Sequence, residues 1–296
     1  MPSELFYFPI EHDICFDGHH SKGSVQELWN TNHRLTTSSY LSKPTVEGDN
    51  WMITQQVAAY LIKKMTSCAK DLGAVPQDPT NELFQYYLTE RAHRIPQTFL
   101  RPDGTIDDHA IVQIFQWRAA ALSDAAYEAR VKQKKPWTGL MIQLHELSRA
   151  YSEQILVTNF YNALSSHPTS SLSHPTPEVL RACFRLFSLY TLSQSSTSFL
   201  LTSSIVQSSL LQLPDTILNL MREVRPHAVK LVDAWSIPDW LLNSALGRYD
   251  GKVYEELFDM AHRRNPLNAT TFNPDWRSDE VVLGSGDGAR HLLAKL

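Results

Sequence analysis

The side chains that could do chemistry are few and scattered. Twelve histidines lie along 296 residues, with no H-x-x-x-H or H-E-x-x-H spacing, so nothing reads as a metal site, and His19-His20 reads as exposed loop. Cys15, Cys68 and Cys183 are odd in number, far apart and without a C-x-x-C pair, which argues against a disulfide framework or a cysteine zinc site. There is no G-x-S-x-G nucleophile turn, and GSGDG at 284–288 has no strand before it, so it reads as a spacer. Composition and spacing single out no carboxylate; Glu47, in TVEGDN at 45–50, stands beside Gly48 just ahead of a helical pattern. Read alone, such a glutamate is a solvated loop residue, with Asp49 or Asn50 capping the helix that follows.

The elements that would position Glu47 are helical. Val57, Leu61 and Met65, with Ile53, recur at helical spacing after Asn50, and GAVPQDP at 73–79 ends that helix. A short helix is expected at about 80–94, and a turn at Arg101-Pro102-Asp103-Gly104. An amphipathic stretch from about 106 to 133 carries Ile111, Phe115, Leu122, Ala125 and Ala129, and Pro136 stops it. A second long helix from about 139 to 164 carries Leu140, Leu144, Leu147, Tyr151 and Ile155. Helices are then expected at about 177–201, 203–212 and 215–234, with Pro238 opening a short helix ending near Gly247 and another at 252–264. No strand-type alternation and no fixed repeat occurs, so the fold class is all-α: long antiparallel helices in one or more bundles. The aliphatic and aromatic stripes read as core packing.

The expected organisation is an irregular segment at 1–44, a first helical bundle portion at 45–164, a Ser/Pro-rich linker at 165–177, a C-terminal helical domain at 178–268 and a flexible tail at 269–296. Hydrophobic content of 43% and charged content of 20% describe an ordinary soluble globular chain. A net charge of -4 without a basic face gives no reason to expect nucleic acid. The apolar run from Phe184 to Leu213 is interrupted by Ser, Thr and Gln and falls short of a membrane span; MPSELFYFPIEHD is not a secretory signal.

Several segments resemble the acyl-CoA oxidase family. TVEGDNWMITQQVAAYLIKKM at 45–65 is similar to its Glu-Gly-Asp-Asn turn and following helix. IFQWRAAALSDAA at 114–126 and LHELSRAYSEQILVTNFYNAL at 144–164 resemble family helices. RPHAVKLVDAWSIPDWLLNSALGRYDGKVYEELFDMAHRRNPLN at 225–268 is the most specific match, and the resemblance runs from about 15 to 268. It implies an all-helical fold of the acyl-CoA oxidase C-terminal type and a flavoprotein, with FAD as cofactor and with fatty acyl-CoA and oxygen as substrates. It also implies Glu47 as the catalytic base, Gly48 and Asn50 close to the flavin, and a homodimer. Two departures stand upstream: CFDGHH at 15–20 puts Phe16 and Asp17 where the family has small residues, and NHRLTTSS at 32–39 looks like an insertion, for which a retained intron is one hypothesis.

Nothing in the chain corresponds to the family's N-terminal helical and β-domains, so the expectation is a C-terminal portion. Ala294-Lys295-Leu296 fits the small–basic–Leu peroxisomal tripeptide, which implies a peroxisomal import receptor as partner and the peroxisome as location. Two alternatives to the enzyme reading are a non-catalytic peroxisomal helical module that associates with full-length oxidase subunits, and an acyl-CoA dehydrogenase fragment. Pro226 and Pro238 are expected in first helical turns, Gly247 at a C-cap, Asp250 at an N-cap, and Arg248 as an ion-pair partner.

Overall fold

The computed structural model describes residues 50–76, 78–166, 173–242 and 244–264. These fall into two units, 50–235 and 236–264. Among the described residues the structure is helical, with two isolated β-bridges, Gln97 to Ile205 and Leu100 to Ile106.

In the first unit, α1 spans Asn50–Lys70 and α2 spans Pro79–Glu90. Helix α3 is Asp108–Tyr127 and α4 is Met141–Ser166. Helix α5 is Thr176–Gln194, α6 is Ser196–Leu201, α7 is Gln207–Val224 and α8 is Ala228–Asp233. Local chemistry sets several of these ends. The Asp78 carboxylate caps α2 by accepting from Asn81 N, with Pro79 in the first turn. Asp107 caps α3 by accepting from His109 N and Ala110 N. The turn at 101–104 forms as expected: Arg101 N donates to Thr105 O at 2.8 Å, and Gly104 takes φ +82, which its missing side chain permits.

Two apolar clusters hold this unit. One gathers Ala58, Leu61 and Met65 of α1 and Phe84 of α2, with Trp117 and Ala120 of α3 and Leu144 and Leu147 of α4. The other gathers Ile111 and Phe115 of α3, Val157 of α4, Phe184 and Leu189 of α5, Phe199 of α6, and Leu213 and Leu220 of α7. The early part of α3 therefore shares a cluster with the late part of α4, and the reverse, so the two run antiparallel. Each fully buried phenylalanine or leucine contributes about 1.5–3 kcal/mol of burial.

Several expected boundaries shift for physical reasons. The stretch to 133 is α-helical only to Tyr127 and closes in a π turn at Glu128–Lys132. On its buried face Ala126 replaces the expected Ala125, which is exposed. The helix expected at 177–201 breaks at Ser195, in a run of Ser and Thr whose hydroxyls compete for backbone groups. The helices expected at 203–212 and 215–234 are instead one helix, α7, running through Pro214 and followed by a 3-10 turn Arg225–His227 and α8. A proline inside a helix costs about 3 kcal/mol. Here Leu213, Ile217 and Leu220, buried on α7 in the second cluster, offset it.

In the second unit, α9 is Asp239–Leu242 and α10 is Val253–Phe258, which continues as a π turn Asp259–Arg263. Arg248 organises the segment between them: its Nη2 lies 2.6 Å from Asp250 Oδ2 and its Nη1 lies 2.8 Å from Glu256 Oε2, with Arg264 also on Glu256. The hydrogen bond and charge of Arg248 hold the Asp250 carboxyl well below its ordinary value. Asp250 is not the N-cap: Lys252 precedes α10, while Asp250 Oδ1 accepts from Lys252 N at 3.0 Å. Helix α9 ends at Leu242, short of Gly247, and the left-handed residue is Gly251, at φ +71. Arg248 draws Asp250 into an ion pair, and Gly251 beside it takes the positive φ.

Candidate functional site

Glu47, Gly48, Ala294, Lys295 and Leu296 lie outside the described residues. Asn50, assigned to the flavin by resemblance, is the first residue of α1. The site can therefore be built from α1, the helix that begins at the Asn of the Glu-Gly-Asp-Asn sequence, and from whatever holds α1 in place.

Helix α1 is buried along Ala58, Leu61, Ile62, Met65 and Cys68, and burial raises the Cys68 thiol above its ordinary value. Nearer its start the contacts turn polar. Thr54 Oγ1 and His145 Nδ1 are 3.1 Å apart, Ser148 Oγ donates to the Thr54 carbonyl at 2.5 Å, and Gln55 Nε2 donates to Met141 O at 3.2 Å. Met141, His145 and Ser148 form one row along α4, at i, i+4 and i+7. Burial, with Arg149 nearby, depresses His145 and favours the neutral ring. Gln55 is only 7% exposed, and its Oε1 has no partner among the described residues. A third tie lies behind: Thr80 Oγ1 and the Tyr151 hydroxyl are 2.7 Å apart, joining α2 to α4.

Between the two apolar clusters runs a buried ionic link. Arg118 Nη1 of α3 lies 2.6 Å from Glu153 Oε2 of α4, Arg118 Nε donates to Ser198 Oγ at 2.9 Å, and the guanidinium stacks 4.4 Å from the Phe199 ring. Arg149 Nε reaches the other Glu153 oxygen at 2.9 Å. On the far face of α3, Tyr87 packs 4.7 Å from Trp117, and burial pushes its phenol up to about 12. Arg94 stacks on the same Trp117 at 4.3 Å, with its Nε and Nη2 buried and unpartnered among the described residues.

Sequence reasoning singled out none of Thr54, Gln55, His145 and Ser148. A signal was present: His145 and Ser148 interrupt the stripe of Leu144, Leu147 and Tyr151 on α4, polar side chains among core positions. Among the described residues no group of His, Cys, Asp and Glu is arranged to hold a metal ion. No helix among them is long and apolar enough to cross a membrane.

This all-helical arrangement, with the ionic link between α3 and α4, defines a helical-bundle domain, and comparison with known proteins says which family it belongs to. Residues 107–279 match the acyl-CoA oxidase family, and the chain belongs to that family. It is 33% identical over 246 residues to peroxisomal acyl-coenzyme A oxidase 1 of Bos taurus, covering 79% of this chain and 35% of the relative. It is 29% identical over 246 residues to the protein of the same name from Arabidopsis thaliana, covering 81% of this chain and 35% of the relative. Among solved structures, Arabidopsis thaliana acyl-CoA oxidase 1 superposes with a TM-score of 0.70 at 27% identity, over 93% of this chain and 40% of that one. The chain thus spans about a third of the length of the curated relatives it matches.

Proposed function

We propose that this chain is the helical, C-terminal portion of an FAD-dependent acyl-CoA oxidase of peroxisomal fatty-acid β-oxidation, and that Glu47 is its general base. The observation that carries the reading is the family match over 107–279, joined to a 21-residue helix that begins at Asn50, the last residue of TVEGDN. Two solved relatives from Caenorhabditis elegans are described as complexes with FAD and ATP, and with FAD, ascaroside-CoA and ATP. The donor set at the head of α1 suits a flavin: first-turn N–H groups of a long helix lack intrahelical partners and carry partial positive charge, which matches an acceptor-rich ring edge. Gly48 and Asn50 would present that edge of the chain to it.

In this reading the Glu47 carboxylate takes the proton from the carbon next to the thioester carbonyl. The Cα–H bond electrons become the new Cα–Cβ double bond as a hydride departs from Cβ, leaving trans-2-enoyl-CoA. Bound FAD would supply the hydride acceptor and, with oxygen, the route to hydrogen peroxide, and the residues placed to hold it would be Gly48 and Asn50. The proton is weakly acidic, so the chain's task is to hold the carboxylate against it. Burial beside an acyl chain would raise the Glu47 pKa toward the working pH. The peroxisomal names of the relatives and the Ala294-Lys295-Leu296 ending support import by the tripeptide receptor, and a homodimer sharing flavin sites belongs to the same reading.

The test is direct. The purified chain, alone and combined with the flavin-binding part of an acyl-CoA oxidase, is examined for yellow flavin absorbance and for peroxide formed from an acyl-CoA. Flavin retention with peroxide formation in the combination supports the reading; a colourless, folded and inactive preparation in both forms rejects it.

A further inference from the structure

We infer that Thr54, Gln55, His145 and Ser148 are a positioning set that locks the leading turns of α1 onto α4 and so determines where the Glu47 side chain sits, an inference that rests on the proposed role of Glu47. Three observations carry it. The buried apolar residues of α1, at Ala58, Leu61, Ile62, Met65 and Cys68, lie beyond its second turn, with Val57 partly packed at the end of that turn. Methyl and thioether contacts of this kind are non-directional and tolerate small slides and rotations. The leading turns are held differently, by three directional bonds from two adjacent residues to a row that runs about 10 Å along α4.

The bonds are also of a kind that senses position. Ser148 Oγ lies 3.0 Å from the Leu144 carbonyl of its own helix and closer, at 2.5 Å, to the backbone carbonyl of Thr54, so its shorter bond fixes the main chain of α1 directly. The Thr54 hydroxyl and the neutral His145 ring each hold one donor and one acceptor, and they stay paired in either tautomer. Gln55 lies on the adjacent flank and reaches the first residue of α4. Together they specify both rotation and axial register.

The third observation is a cost without a stability return. Gln55 is 7% exposed, and among the described residues its Oε1 lacks a partner. An unmet buried carbonyl is unfavourable by about 1–3 kcal/mol. An aliphatic residue would fill the same place without that cost, so the amide is there for the bond its Nε2 makes to Met141. Such unsatisfied groups collect where geometry matters more than stability. Thr54 is four residues, about one helical turn, after Asn50, where α1 begins, and Glu47 is three residues before Asn50 in the sequence, so a slide of α1 at Thr54 passes to the residue from which the Glu47 segment leads.

The experiment uses the full chain with Ser148→Ala and the hydroxyl-retaining Ser148→Thr, and reads two signals that need no turnover. Backbone amide exchange is followed over 51–56 and over 61–68 of α1. The Glu47 carboxyl is followed by carbon-13 resonance through a pH titration, assigned with Glu47→Gln. Expected in Ser148→Ala are roughly tenfold faster exchange at 51–56, unchanged exchange at 61–68 and a displaced Glu47 titration, with Ser148→Thr restoring all three. Unchanged exchange at 51–56, equal acceleration along the whole helix, or an unmoved Glu47 titration would each overturn the inference. Loss of the catalytic reading shows separately, as turnover that survives Glu47→Gln.

Discussion

Arg118 and Glu153 meet at 2.6 Å in the middle of the first unit, with side chains 1% and 8% exposed. One comes from α3 and the other from α4, 35 residues apart, at the level where one apolar cluster gives way to the next. Every polar neighbour supports the pair: Ser198 takes Arg118 Nε, Arg149 takes the second Glu153 oxygen, and Phe199 covers the guanidinium. Two charges out of water are tolerated only under such full satisfaction.

Breaking this link from one side is expected to be costly. Arg118→Met leaves Glu153 buried with only the half-exposed Arg149 as counter-charge, and should lower unfolding free energy by about 3–5 kcal/mol. Removing both partners, in Arg118→Met with Glu153→Leu, should recover most of that loss. Denaturant melts of the two variants measure it; a single variant as stable as the unaltered chain would show that the pair carries no such load.

Arg94 makes the opposite case. It has a ring stack on Trp117, but Nε and Nη2 are buried without acceptors among the described residues, and burial lowers its pKa. Arg94→Met should stay within about 1 kcal/mol of the unaltered stability, because the lost cation–π contact is set against relief of two unmet donors. A loss above about 2 kcal/mol in the same melts would mean those donors have partners.

His145 predicts an acid-sensitive component of stability. Its pKa is depressed in the folded chain by burial first and by Arg149 second. Below the ordinary histidine value of about 6.5, the unfolded chain takes up the proton while the folded ring resists it. Acid therefore favours unfolding in that window, and this part of the stability returns as pH rises through it. Thermal melts between about pH 7.5 and 5.5 should fall less steeply for His145→Gln than for the unaltered chain. Parallel curves would remove His145 from the account.

For the proposed chemistry, Glu47→Gln keeps the shape of the side chain and removes the base. In an assembly that turns over acyl-CoA, peroxide formation should drop by at least about a thousandfold, within the range general-base removal produces, while flavin absorbance stays. Turnover close to that of the unaltered assembly ends the assignment.

Much of the fold could be read in advance from period and punctuation. Leu144 and Leu147 on α4, Ile111 and Phe115 on α3, and the Arg101–Gly104 turn emerged from spacing alone, since helical periodicity and turn chemistry act over a few residues. The continuity of α7 through Pro214 did not, because what overrides a proline is packing of Leu213 and Leu220 in a core built from distant residues. Glu153 and Ser148 were equally hidden. A glutamate or a serine carries no sign of burial until its partner, Arg118 in one case and the Thr54 carbonyl in the other, is brought to it.

Short-range physics, written in the order of residues, thus determined that this chain is helical, where most of its helices lie, and through TVEGDN and the segment at 225–268 which family it resembles. Tertiary structure alone decided which polar groups go inside and what they hold. A buried ion pair and a directional clamp exist only when helices 35 to 94 residues apart in sequence meet at hydrogen-bond distance, and no local pattern encodes that meeting.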